Sequence, residues 1–139
     1  MAGVVPGDHV SATQRDDVVD LFTAVGKAMV VEETSLDALT ALSGSGPAYL
    51  FYIAEAMIEA GVHQGLTRPQ ATELVNRTVR GAGVMLEASS DSATTLRERV
   101  TSPAGTTAAA LRVLDDHGVR AAMLAAVDAC VARSREMAG

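Results

Sequence analysis

Apolar positions recur at helical spacing over most of this chain. Ser11 followed by Gln14 has the form of a capping box, and Val18, Val19, Leu21, Phe22 and Val25 supply one apolar stripe, which predicts a helix from about Ala12 to Ala24, ended by Gly26. Lys27 to Glu32 is a short β-branched run that predicts a strand with no visible pairing partner. Such an orphan pairs with a copy of itself, with another domain, or not at all. From Ser35 onward the pattern is helical: Ser35 to Leu42, a break or kink at Ser43-Gly44-Ser45-Gly46-Pro47, then Ala48 to His63. Thr67 with Gln70 makes a second capping box for a helix to about Glu87. Shorter helices are expected at Ala93 to Val100 and Thr106 to Asp116, the latter closed by His117-Gly118, and a last one from Val119 to about Met137.

Composition agrees with helices, because Ala and Leu are plentiful whereas there are only two Phe, two Tyr and no Trp. At 139 residues and 48% apolar content the chain is one domain in size and excludes a disordered tail. The net charge of -6 opposes a broad grip on a phosphate backbone, so nucleic acid is excluded as a partner. The apolar stretch Pro47 to Val62 is interrupted by Glu55 and Glu59 and falls short of the roughly 20 residues a membrane span needs. No basic n-region precedes an apolar run at the N-terminus, and the single Cys130 reads as a small core residue of a reducing compartment. A cytoplasmic location is expected.

Most candidate chemistry falls away. His9, His63 and His117 lie in separate segments without ligand companions, so no metal site is expected. Glu55 and Glu59 share a helix face that reads as solvated, and Tyr49, Phe51 and Tyr52 read as core packing. Gly81 and Gly83 each cost about 0.8 to 1 kcal/mol inside a helix, and intrachain packing and a subunit interface explain them equally well. The number of helices apolar around most of their circumference, Ala48 to Val62 and Val119 to Met137 above all, tilts the choice toward an interface.

The segment Thr101 to Thr107, T-S-P-A-G-T-T, is different. It places two hydroxyls before a Pro-Ala-Gly turn and two more at the first turn of a helix, where free N–H groups and the positive dipole end suit a small carboxylate or phosphate. A plain N-cap is the commoner use of such residues, and the pattern alone favours it.

D-A-L-T-A-L-S-G-S-G-P-A-Y (Asp37 to Tyr49), E-A-G-V-H-Q-G-L (Glu59 to Leu66) and L-R-E-R-V-T-S-P-A-G-T-T-A-A-A-L-R-V-L (Leu96 to Leu114) closely resemble, in order and spacing, the C-terminal half of pyrroline-5-carboxylate reductase. The resemblance runs from about Pro6 to Met137. It implies an all-α dimerisation domain of the 6-phosphogluconate dehydrogenase C-terminal-like class with one short N-terminal strand, residues 1–34 being a junction with a nucleotide-binding domain and residues 35–139 the helical dimerisation and substrate domain.

It further implies an oxidoreductase in which hydride passes from NADPH or NADH to the C=N carbon of a cyclic imine, giving L-proline. Thr107 matches the threonine that meets the ring nitrogen. Ser102, Gly105, Thr106 and Thr107 match the loop that holds the substrate carboxylate, Glu33 an acidic position at the substrate site, and Arg99 a position near the cofactor. Ala104 stands where Gly is commoner in the family, a change expected only where φ is negative. Met1 falls where the family's Rossmann domain ends, and no G-x-G-x-x-G is present, so the chain alone is expected to hold no tightly bound cofactor and to be inactive. The expected partners are a second copy, in a homodimer or higher oligomer, a small-molecule substrate, and a separate Rossmann domain. The alternatives are a non-catalytic homodimerisation module and one subunit of a split reductase.

Overall fold

The computed structural model describes residues 1–138. The order of elements is β1 (Ala2–Val4), α1 (Ala12–Thr23), β2 (Ala28–Val30), a 3-10 turn (Glu33–Ser35), α2 (Leu36–Leu39), a π turn (Thr40–Gly44), α3 (Gly46–His63), α4 (Arg68–Ala88), α5 (Ala93–Arg99), α6 (Thr106–Asp116) and α7 (Val119–Ala138). The protein is predominantly helical, as the apolar periodicity predicts. Backbone contacts divide it into two compact units, Met1–Pro47 with the segment from Leu124 onward, and Ala48–Met123.

In the first unit β1 and β2 are parallel, with Gly3 opposite Met29, and α1 packs on both. The strand at Lys27 to Glu32 is therefore not an orphan: it is the second strand of a small βαβ unit. Its partner escapes the sequence because Ala-Gly-Val has no alternating pattern, and only the ladder with Ala28–Val30 makes it a strand. Gly3 leaves room for Leu39 of α2, whose side chain would collide with a Cβ there. Across the same unit Ser134 Oγ donates to Asp37 Oδ1 at 2.6 Å and Arg135 Nε to Asp37 Oδ2 at 3.3 Å, fastening α7 to α2. Cys130 is half-buried, its Sγ 3.3 Å from Ser45 Oγ.

The expected break or kink at Ser43 to Pro47 takes the form of a π turn beginning just before it. The chain stays helical through that turn, in which Ser45 N–H reaches Thr40 O at 2.9 Å, and restarts as α3 at Gly46. Pro47 is thereby accommodated in the first turn of α3, where its missing N–H costs nothing.

In the second unit α3 and α4 meet where Gly61 faces Ala71, and Arg68 clamps Glu59 with two hydrogen bonds of 2.8 and 3.2 Å. Glu59 is thus solvated, as expected, and also a partner in a bidentate pair. The Arg68 hydrogen bonds, and then its charge, hold the Glu59 carboxyl below its ordinary pKa. Both expected capping boxes are present, Ser11 with Gln14 on α1 and Thr67 with Gln70 on α4. Gly118, at φ +68°, ends α6 as expected.

The interior is small. Among the described residues only Ala41, Ala71 and Val75 are buried, and none of α3, α6 or α7 buries a residue. Phe51 and Tyr52 are 72% and 75% exposed, so these two are not core, whereas Tyr49 is half-buried. No helix among the described residues is long and apolar enough to cross a membrane, and no His, Cys, Asp and Glu cluster there could hold a metal.

Candidate functional site

The segment from Thr101 to Thr107 is built by three local constraints. Thr101 Oγ1 donates to Arg97 O at 2.6 Å, tying the start of the loop to the end of α5. Ser102 to Gly105 then form a tight turn closed by Gly105 N–H donating to Ser102 O at 3.0 Å. Pro103 occupies the second position, where its fixed φ is suited, and Ala104 the third, with φ +57°. That is the arrangement of a type II turn, whose third position demands positive φ. The expectation of a negative φ at Ala104 is therefore wrong: the chain carries a Cβ where glycine is the natural occupant.

Gly105 follows as the N-cap of α6, in an extended conformation at φ -77° and ψ 174°. A Cβ there would stand 3.1 Å from both the carbonyl and hydroxyl oxygens of Ser102, so a side chain would crowd the turn. This has a direct consequence for α6. Ser11, Thr67 and Ser92 each cap their helices by accepting an N–H of the first turn, whereas Gly105 caps nothing with a side chain. The first backbone bond into α6 runs from Ala109 N–H to Gly105 O at 3.1 Å. The N–H groups of Thr106, Thr107 and Ala108 point out of the helix start, together with its positive dipole end. Neither threonine is the N-cap, so the plain-cap account of these hydroxyls does not hold.

Ser102, Gly105, Thr106 and Thr107 thus lie together on one turn and one helix start. Thr107 is half-buried, and Ser102 and Thr106 are exposed. Arg99 belongs to the same unit, but its guanidinium is paired with Asp91, whose carboxylate also accepts from Ser89 Oγ at 3.1 Å. It fastens the loop before α5 to the end of that helix. Glu33, exposed in the 3-10 turn after β2, belongs to the other compact unit. A groove of about 380 Å³ runs between α5, α6 and the start of α7, lined by Arg97, Arg112 and Arg120 among others, but not by Ser102, Thr106 or Thr107.

Residues 33–137 match the family described as pyrroline-5-carboxylate reductase dimerisation. The chain belongs to this family. It is 45% identical to pyrroline-5-carboxylate reductase of Corynebacterium melassecola over 137 residues, which cover 99% of this chain and 51% of that protein. Against the Mycobacterium leprae enzyme the identity is 43%, covering 94% and 50%. The structure of the Coxiella burnetii pyrroline-5-carboxylate reductase superposes with a TM-score of 0.93 at 39% identity, over 97% of this chain and 51% of that one. That of the Plasmodium falciparum pyrroline carboxylate reductase with NADP bound gives 0.86 at 31%, over 99% and 56%. The chain spans about half the length of the curated pyrroline-5-carboxylate reductases it matches.

The connection between β1 and α1 carries a single glycine, Gly7, and the capping box at the start of α1 takes up the N–H groups of Ser11 and Gln14.

Proposed function

We propose that this chain forms the substrate-binding and dimerising part of a pyrroline-5-carboxylate reductase, which reduces the C=N bond of 1-pyrroline-5-carboxylate to give L-proline. The uncapped start of α6 carries this reading. The N–H groups of Thr106, Thr107 and Ala108 hold the substrate carboxylate, at the positive end of the helix dipole. Ser102 and Gly105 shape the cradle: the glycine leaves space, and the turn aims the helix start outward. Thr107 places its hydroxyl at the ring nitrogen, and Glu33 stands at the substrate site of the assembled enzyme. The nicotinamide of NADPH or NADH supplies the hydride when bound, and it is held by residues other than those forming the β1–α1 turn.

The chemistry asked of these residues is positioning. Holding the imine by its carboxylate at one end and its nitrogen at the other fixes the face open to hydride, which is an entropic contribution to rate. No side chain in the cradle is an acid of suitable strength, so the proton on nitrogen comes with the iminium or from water. The family's dimerisation description and the sparse interior support a homodimer, with residues 35–139 as the helical dimerisation and substrate domain, working in the cytoplasm.

Titration of the chain with L-proline, followed by amide NMR, tests the cradle. Shifts centred on Thr106, Thr107 and Ala108 with proline, and none with prolinamide, are expected. Equal shifts with both, or none with either, would remove carboxylate binding from α6.

A further inference from the structure

The groove between α5, α6 and the start of α7 gathers positive charge in a chain whose net charge is -6. Arg97, Arg112 and Arg120 line it, against the two carboxylates of Glu98 and Asp115. All five lie within one compact unit. Helical spacing builds the α6 wall. Ala108, Leu111, Arg112 and Asp115 stand at i, i+3, i+4 and i+7 and so share one face, half-buried Ala108 and Leu111 forming an apolar floor beside the charges.

The three guanidinium groups are not equally engaged. Arg120 Nε donates to Asp115 Oδ1 at 3.0 Å, so this arginine is answered within the chain. Arg97 is half-buried and stands 4.0 Å from the carboxylate of Glu98, its neighbour in sequence, which is too far for a hydrogen bond. The guanidinium of Arg112 has no ion pair or hydrogen bond among the described residues. Two arginines from adjacent helices therefore border one cavity of about 380 Å³ with their donors unspent, and that volume is in the range of small-ligand sites.

We infer that this groove is a binding site for a small phosphate-bearing anion, held between Arg97 and Arg112. The chemistry selects phosphate over carboxylate. A carboxylate has two oxygens in one plane and is satisfied by a single guanidinium fork, whereas a phosphate directs its oxygens tetrahedrally and accepts forks arriving from two helices. Ser102, Thr106 and Thr107 do not line the groove, but Thr101 does, and its hydroxyl donates to Arg97 O at 2.6 Å where the loop leaves α5. An anion joining Arg97 to Arg112 thus bridges α5 and α6 across that loop. The inference needs only the groove and stands apart from the reductase reading.

Calorimetric titration of the full chain with inorganic pyrophosphate, at constant ionic strength, is the test. The expected Kd is below about 1 mM. Arg112→Gln should weaken binding about ten-fold or more without changing the melting curve, because the side chain is exposed and holds nothing in the fold. Arg97→Gln should weaken it as well. Arg80→Gln, which removes an exposed arginine of α4 outside the groove, should leave it unchanged. Excess L-proline should not displace pyrophosphate, and citrate should bind more weakly than pyrophosphate. No binding, binding indifferent to Arg112→Gln, or equal weakening by Arg80→Gln would overturn the site. Displacement by L-proline would move the anion to the start of α6, and citrate bound as tightly as pyrophosphate would overturn the selection of phosphate.

Discussion

Gly61 and Ala71 set the distance at which α3 crosses α4: a Cβ on Gly61 would stand 3.0 Å from the Cβ of Ala71, which is only 1% exposed. There is no flexible side chain at that point to yield. Gly61→Val should force the helices apart and destabilise the protein by about 1 to 3 kcal/mol, the usual cost of overpacking. Thermal unfolding of the variant measures it, and an unchanged or raised melting temperature would contradict the crossing.

Ala104 occupies the left-handed position of its turn at φ +57°. Its Cβ costs roughly 1 to 2 kcal/mol there, offset in part by the greater freedom glycine has in the unfolded chain. Ala104→Gly is expected to stabilise the protein by about 1 kcal/mol, raising the melting temperature by a few degrees. A loss of stability would show that the turn is not held in this form.

Thr107→Val removes a hydroxyl but keeps every backbone N–H of the cradle. Because Gly105 and not Thr107 is the N-cap, stability should change little. In the assembled reductase kcat/KM should fall by roughly 2-fold to 150-fold, the value of one hydrogen bond to a neutral or charged group. Steady-state kinetics and a melting curve on the same variant check both halves. A large loss of stability with unchanged kinetics would make Thr107 structural.

The Arg68 hydrogen bonds and charge lower the pKa of Glu59, and the Ser134 hydrogen bond, ahead of Arg135, lowers that of Asp37. A carboxylate whose folded pKa is depressed contributes stability that is present above its unfolded pKa and lost as pH falls through the folded one. Stability should therefore decline on acidification below the ordinary carboxylate range, and Glu59→Gln should flatten part of that decline. Glu59 and Arg68 are both exposed whereas Asp37 is half-buried, so the part of the slope that comes from Glu59 should shrink most in high salt. Melting temperature against pH at two ionic strengths reads this out.

Elements specified by neighbouring residues were legible. α6 runs from Thr106 to Asp116 as its pattern predicts, and both capping boxes stand where Ser11 with Gln14 and Thr67 with Gln70 placed them. Capping is a bond between residues three apart, so it is written in the chain itself. The motif around Thr101 to Thr107 was legible for the same reason, as a turn followed by a helix start. What it does not spell out is that Gly105 leaves α6 uncapped. That depends on how closely Ser102 folds back over it, and the same turn closure forces Ala104 into positive φ.

By itself, then, the sequence determined the helices, their ends and the hydroxyl-rich turn, because each rests on interactions within a few residues. Only the tertiary structure decided that Ala2–Val4 is a strand, that Glu59 belongs to Arg68, that Asp37 is held by Ser134, and that the C-terminal half of α4 is bare on every side. Each of these depends on where a distant or unpatterned segment comes to lie. A pairing of residues 97 apart, such as Asp37 with Ser134, leaves no periodic mark on the chain, since its energy arises only when folding brings the two together.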